Sequence, residues 1–247
     1  MSRIIATREP TTVSQALAQP HWKQAMEAEI HAILRNHTWD LVPCPSHRSV
    51  ISVRWIFKTK YAFDGSIDKY KARLVAKGYA QRPGIDYGET FAPTVHMSTI
   101  HTILALAVHH QWPIFQMDVK SAFLNGDLQK EVYVDQPPGF VDSCSPTMVC
   151  RLRKALYGLK QAPWAWNQRI DTFFYCTGLH HSVADPNVYL FRDGQLLTFI
   201  ILYVHDLIII GNHTTHILAI KVALQTEFQM TYLSLLHFFL GLEIWQT

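Results

Sequence analysis

Charge is scarce in this chain. Asp, Glu, Lys and Arg make up 17% of its 247 residues, against roughly 25% in an ordinary soluble domain; a chain this apolar must bury most of itself, which excludes collagen, low-complexity tails and disordered linkers. The net charge of +3 announces no nucleic-acid partner by itself. Cysteine is sparse too. Cys44, Cys144, Cys150 and Cys176 form no C-x-x-C pair, so neither a zinc ribbon nor a disulfide framework is indicated, and the thiols read as reduced and intracellular. The opening MSRIIATREPTTVSQ has no apolar core long enough for a signal peptide. The most apolar run, 196–210, is shorter than the roughly 20 residues of a membrane span and carries His205 and Asp206. No membrane partner is therefore expected. Gly78, Gly84 and Gly88 make no phosphate loop and no G-x-S-x-G is present, so dinucleotide and acyl-transfer chemistry have no support.

What the chain has is apolar and aromatic mass, 49% and 12% of residues, enough for one sizeable core or two subdomains. Residues 1–20, with Pro10 and Pro20, read as a disordered or loose lead-in. Helical spacing marks helices over 22–35, 97–109, about 163–177 and about 214–228, and strands over 112–119, near 149–152, over 196–203 and over 207–211; 233–244 ends in a strand. Mixed order without βαβ alternation predicts an α+β architecture.

Between 52 and 77 the period is two, and Asp64-Gly65 marks a hairpin. A two-residue loop sets Phe63 opposite Ser66, Lys60 opposite Lys69, Lys58 opposite Lys71 and Ile56 opposite Arg73. One side then collects five cations; the other carries Trp55, Phe57, Tyr61, Tyr70 and Leu74. Like charges facing each other across a ladder oppose its formation. The face is either solvated or the seat of an anion.

Asp118 follows an apolar strand, and Asp206 interrupts another. Each either ends a strand in a turn or, if the strands are neighbours, converges with the other on a hard divalent cation. His213-x-x-His216, His96 and His101 lack further ligands at metal spacing and read as structural.

Ordered segments from Trp22 to Glu243 carry a resemblance. They include W-K-Q-A-M-x-A-E-I, D-G-S-I-D-K-Y-K-A-R-L-V-A-K-G-Y-A-Q, Q-M-D-V-K-S-A-F-L-N-G, L-x-K-A-L-Y-G-L-K-Q-A-P, A-D-P-N-V-Y and F-L-G-L-E-I. In order and spacing the chain resembles the reverse transcriptase of copia-type LTR retrotransposons, a part of their Pol polyprotein. The resemblance implies a right-hand polymerase over 21–247, with fingers at about 21–110, an interleaved palm at about 111–247 and an incomplete thumb. It also implies RNA-directed DNA synthesis on an RNA or DNA template-primer from dNTPs, with two Mg²⁺ ions held by Asp118, the backbone carbonyl of Val119 and Asp206. The setting would be a cytoplasmic particle or the nucleus. Lys71 and Arg73 would take the triphosphate, Phe123 would gate against a ribose 2′-OH, and Gln161 would brace the sugar and base. Lys58, Lys60 and Lys69 would touch nucleic acid, and Gly241 belongs to a segment similar to a primer-gripping hairpin.

One departure matters most. The family's palm turn is Tyr-Val-Asp-Asp, and here it is Tyr203-Val204-His205-Asp206. An imidazole suits Zn, Cu or Ni, whereas Mg²⁺ wants oxygen, so Mg²⁺ binding is expected to be weakened and transfer impaired. His96, His101 and Trp164 stand where the family has Arg. The alternative is a non-catalytic, nucleic-acid-binding relic of the polyprotein.

Overall fold

The computed structural model describes residues 8–62 and 64–246. In chain order its elements are α1 (Val13–Leu17), α2 (Pro20–Arg35), β1 (Trp39–Val42), β2 (Val50–Ile51), β3 (Val53–Tyr61), β4 (Ile67–Ala76), α3 (Met97–His109), β5 (Ile114–Val119), β6 (Asp127–Val134), β7 (Val149–Lys154), α4 (Ala162–Cys176), β8 (His180–His181), β9 (Val188–Asp193), β10 (Leu196–Tyr203), β11 (Asp206–Gly211), α5 (Thr214–Glu227), β12 (Met230–Leu235), β13 (Phe238–Phe239) and β14 (Leu242–Glu243). The mixture of helices and sheets is the one the sequence predicts. The chain divides into two compact, interleaved units, Met1–Thr90 with Gly126–Ala165, and Phe91–Asn125 with Trp166–Thr247. This partition breaks near residue 90 and returns for 126–165.

In the first unit the lead-in is ordered where it is described. Thr12 Oγ1 accepts from the Gln15 N–H at 3.2 Å and caps α1, whose Ala16 is buried; residues 1–7 lie outside the described residues. Helix α2 starts on Pro20, whose missing N–H costs nothing at a first turn. Its buried stripe is Trp22, Met26, Glu29 and Ile33, spaced 4, 3 and 4 as one helix face requires. Trp22 meets Phe57 and Tyr70 edge-on, with ring centroids 5.4 and 4.8 Å apart. This packing seats the β3–β4 hairpin on α2.

A second sheet of this unit has the order β1-β7-β6-β2. The end of β4 is locked by backbone: Ala76 N–H donates to the Tyr157 carbonyl at 2.7 Å. Gly158, at φ +88°, leaves no room for a side chain, since a Cβ there would lie 2.2 Å from the Ala76 carbonyl oxygen.

In the second unit six antiparallel strands run in the order β12-β5-β11-β10-β9-β8. Both faces are covered. Leu207 and Ile209 pack with Trp166, Ile170, Ile217 and Leu224 of α4 and α5, whereas Ile208 and Ile210 pack with Ile100, Ile103 and Ala107 of α3. A strand buried on two sides needs no polar alternation, which explains the unbroken apolar run before Gly211.

Candidate active site and nucleic-acid interface

The hairpin register is the one the sequence predicts through most of its length: Ile56 faces Arg73, Lys58 faces Lys71 and Lys60 faces Lys69. A bulge after Lys60 pairs Tyr61 with Ile67, so the two-residue-loop register stops short of the tip. The expected facing of Phe63 and Ser66 lies outside the described residues. Asp64 shapes the tip by accepting from Ser66 N–H and Oγ–H at 2.9 and 2.6 Å. On the cationic face the Arg73 guanidinium carbon lies over the Tyr157 ring, 4.5 Å from its centroid, a cation–π contact.

Beneath that face lies a group the sequence reading missed. Glu29, 8% exposed, accepts from the Leu74 N–H at 3.4 Å. Burial pushes its carboxyl up to about 7, against the pull of the Leu74 N–H, Arg73 and Lys71. Its place on the 22-26-29-33 stripe was the available signal.

Gln161 is engaged rather than open. It is 6% exposed; its Nε2 donates to the Asp86 carbonyl at 3.0 Å and its Oε1 accepts from Gln81 Nε2 at 2.9 Å. Gln81 Oε1 in turn accepts from the Lys160 N–H at 2.8 Å. This network fixes the L-K-Q segment within the first unit.

In the second unit β5 lies between β11 and β12, and Asp118 is the direct cross-strand partner of Asp206. The two carboxylates therefore share one face of the sheet, as side chains opposite each other in a ladder must. His205 Nε2 lies 3.6 Å from Asp118 Oδ1. Burial pushes Asp206 above the ordinary carboxylate range and Asp118 adds to the rise. His205 pulls the other way, as does the hydrogen bond donated by Gln116 Nε2 at 3.4 Å.

The turn between Tyr203 and Asp206 adopts an uncommon conformation. Val204 has φ +56°, costly for a β-branched residue because its Cβ crowds the carbonyl. Two bonds hold it there. Trp166, buried on α4, donates its indole N–H to the Val204 carbonyl at 2.6 Å, and the Val119 N–H donates to the His205 carbonyl at 2.9 Å. Sequence reading missed Trp166, since nothing in a lone tryptophan names an acceptor 38 residues away.

Phe123 sits in the helical turn Ala122–Asn125, half-buried against the core of the second unit. Gly241 has φ +85° and follows Leu240 at φ +49°; with Phe239 paired to Leu242 they form a tight two-residue hairpin loop. Among the described residues, no three His, Cys, Asp or Glu side chains form a ready metal-binding group. Nor is any helix long and apolar enough to cross a membrane.

Residues 36–247, which include the facing carboxylates and the strained turn, match the family described as reverse transcriptase (RNA-dependent DNA polymerase). The chain belongs to that family. It is 47% identical over 241 residues to the retrovirus-related Pol polyprotein from transposon RE2 of Arabidopsis thaliana, an alignment covering 97% of this chain and 17% of that protein. It is also 47% identical over 241 residues to the RE1 polyprotein of the same plant, covering 97% and 16%. Identity to the Pol polyprotein from transposon TNT 1-94 of Nicotiana tabacum is 39% over 241 residues, covering 96% and 18%. The chain is thus a reverse transcriptase domain of the copia-type Pol polyprotein kind, and it spans about a sixth of the length of these relatives. The family works with divalent metal ions, nucleic-acid template-primer and dNTPs.

Proposed function

We propose that this reverse transcriptase domain, built as fingers and palm, has lost most of its capacity for Mg²⁺-dependent nucleotidyl transfer. The observation that carries this reading is His205, which puts an imidazole nitrogen 3.6 Å from Asp118 at the position where the family has a carboxylate. Mg²⁺ takes near-octahedral oxygen ligands and keeps its waters, whereas imidazole favours softer ions. One nitrogen and two carboxylates do not fit a pair of Mg²⁺ ions.

What the chain's own residues do is bind and position. Lys71 and Arg73 are the residues for a triphosphate, with the Tyr157 ring against the Arg73 guanidinium. Lys58, Lys60 and Lys69 offer charge to a phosphate backbone, Phe123 is the candidate gate against a 2′-OH, and Gly241 belongs to the candidate primer-gripping loop. The engaged amide of Gln161 supports a bracing role for the L-K-Q segment more than a direct contact.

Primer extension on poly(rA) with oligo(dT) tests the reading. The unmodified chain should show little synthesis in Mg²⁺, and His205→Asp should restore it, by a factor of 100 or more on the scale of single charge-stabilising groups, about 10² to 10³. Robust Mg²⁺-dependent synthesis by the unmodified chain would sink it. The second reading, retained nucleic-acid binding without transfer, is favoured by the like-charged pairs Lys58 with Lys71 and Lys60 with Lys69. It requires affinity for a primer-template to fall steeply with salt, since each neutralised phosphate releases counterions.

A further inference from the structure

Two carboxylates sit on the outer backbone edges of the β3–β4 hairpin. A two-stranded sheet has no neighbouring strand on either side, so its outward N–H groups take acceptors from elsewhere. On β3, Glu9 accepts from the Thr59 N–H at 2.8 Å; on β4, Glu29 accepts from the Leu74 N–H at 3.4 Å. The two differ in burial. The Glu9 side chain is 35% exposed and Glu29 only 8%, so water screens the first charge far more than the second.

Glu29 acts on the cations of its own strand partner. Its acceptor oxygen lies at the peptide that joins Arg73 to Leu74, and its charge interacts with those of Arg73 and Lys71, the residues assigned to a triphosphate. An ionised Glu29 cancels part of their field, and a protonated one leaves it whole. Burial pushes the carboxyl up to about 7, so both forms are populated near neutrality. The surrounding elements add little that competes. Helix α1 carries no titratable side chain. Strand β3 packs its aromatic side on α2 and alternates Arg54, Lys58 and Lys60 to the far face. On β4, Asp68 pairs with Lys69 at 3.8 Å towards the tip. On α2, Lys23 pairs with Glu27 at 3.9 Å on the exposed side, and His21 stacks on Tyr70 about two turns from Glu29.

On the triphosphate reading of Lys71 and Arg73, we propose that Glu29 makes anion binding by this hairpin proton-linked: a polyphosphate seated on the two cations brings a proton from solvent onto the Glu29 carboxylate, and an ionised Glu29 weakens the binding. Phosphate oxygens offset the positive field that favours the ionised carboxylate, which raises its affinity for a proton. By reciprocity a held proton raises the affinity for phosphate by the same factor. Affinity is therefore full below pH 7 and declines as pH rises through the range in which the free protein's Glu29 ionises.

The test is isothermal titration calorimetry of the full chain with dTTP in EDTA at about pH 6, 7.5 and 8.5, each in two buffers of different ionisation enthalpy. At the middle pH the parent should take up more protons per dTTP than Glu29→Gln. Ionisation of the ligand and of His21 is common to both proteins, so the difference belongs to Glu29. Relative to the variant, the parent's affinity should match at the lowest pH and fall about fivefold to tenfold at the highest, the factor that follows if the bound anion raises the carboxyl by about one pH unit. A second readout needs no variant: the ¹³C shift of the Glu29 carboxyl in the parent should move towards its protonated value when dTTP is added at the middle pH. Equal proton uptake and parallel pH profiles in the two proteins, or a carboxyl shift that dTTP does not move, overturn the coupling and leave the triphosphate reading standing. Absence of dTTP binding by both proteins at every pH overturns the two together.

Discussion

Glu29→Gln isolates the energetic consequence of the carboxylate buried beneath β4. Glutamine keeps the size of the side chain and an acceptor oxygen for the Leu74 N–H, exchanges the other oxygen for an amide NH₂, and removes the charge. In the folded chain burial raises the Glu29 carboxyl from 4.5 to about 7. The native state therefore holds a proton that the unfolded chain has released across that interval. Folding stability from this group is full below pH 4.5 and declines as pH rises towards 7, at about 1.4 kcal/mol per pH unit. The whole decline is about 3 kcal/mol, large against the 5–15 kcal/mol typical of a domain. Urea denaturation at pH 5, 6, 7 and 8, followed by tryptophan fluorescence, should show the parent losing stability along this slope. The Gln variant should lack that contribution and exceed the parent at pH 8 by about 3 kcal/mol. Identical slopes in the two proteins, or a Gln variant less stable than the parent at pH 8, would refute the reasoning.

Gly158→Ala should cost at least about 3 kcal/mol or prevent folding, because the new Cβ meets the Ala76 carbonyl oxygen at 2.2 Å and the backbone is left-handed; a soluble variant with the parent's denaturation midpoint would contradict this. Trp166→Phe keeps the aromatic contact with Phe228 and leaves the Val204 carbonyl without its indole donor, so a loss of about 1–2 kcal/mol is expected in thermal unfolding, and no loss would show the bond to be idle. Val204→Gly should relieve the φ of +56° and raise stability by about 1 kcal/mol, checked by the same melts; destabilisation would mean the valine side chain contributes more than its strain costs.

Where a single local rule sufficed, the sequence was legible. The helix over 97–109 has the bounds of α3, and the alternation about Asp64-Gly65 sets Lys58 against Lys71 as β3 and β4 pair. Asp118 and Asp206, flagged by the apolar strands around them, are direct neighbours. Strand β6 escaped because four of its first five residues, Asp127, Gln129, Lys130 and Glu131, are polar and exposed and hide the period of two. Helix α1 escaped because five residues are too few for a periodicity to register. The partners of Gln161, Glu29 and Trp166 lie 80, 45 and 38 residues away, and such pairings are decided by packing, which residue type does not encode. The bulge after Lys60 likewise depends on how the hairpin tip closes, not on its alternation.

The interleaving of the two units bears on synthesis. Strand β1 at Trp39–Val42 finds its partner β7 at Val149–Lys154 only after the ribosome has made the intervening hundred or so residues. At roughly 5–20 residues per second that wait is on the order of ten seconds. Through that interval β1 has an unpaired edge while residues that belong to the other unit emerge. A fragment cut at the contiguous boundary near 110 would carry that exposure permanently, because it keeps β1 and loses both β6 and β7. Expression trials that divide this domain by position along the chain should therefore yield aggregates, whereas pieces that retain 126–165 with 1–90 preserve the sheet.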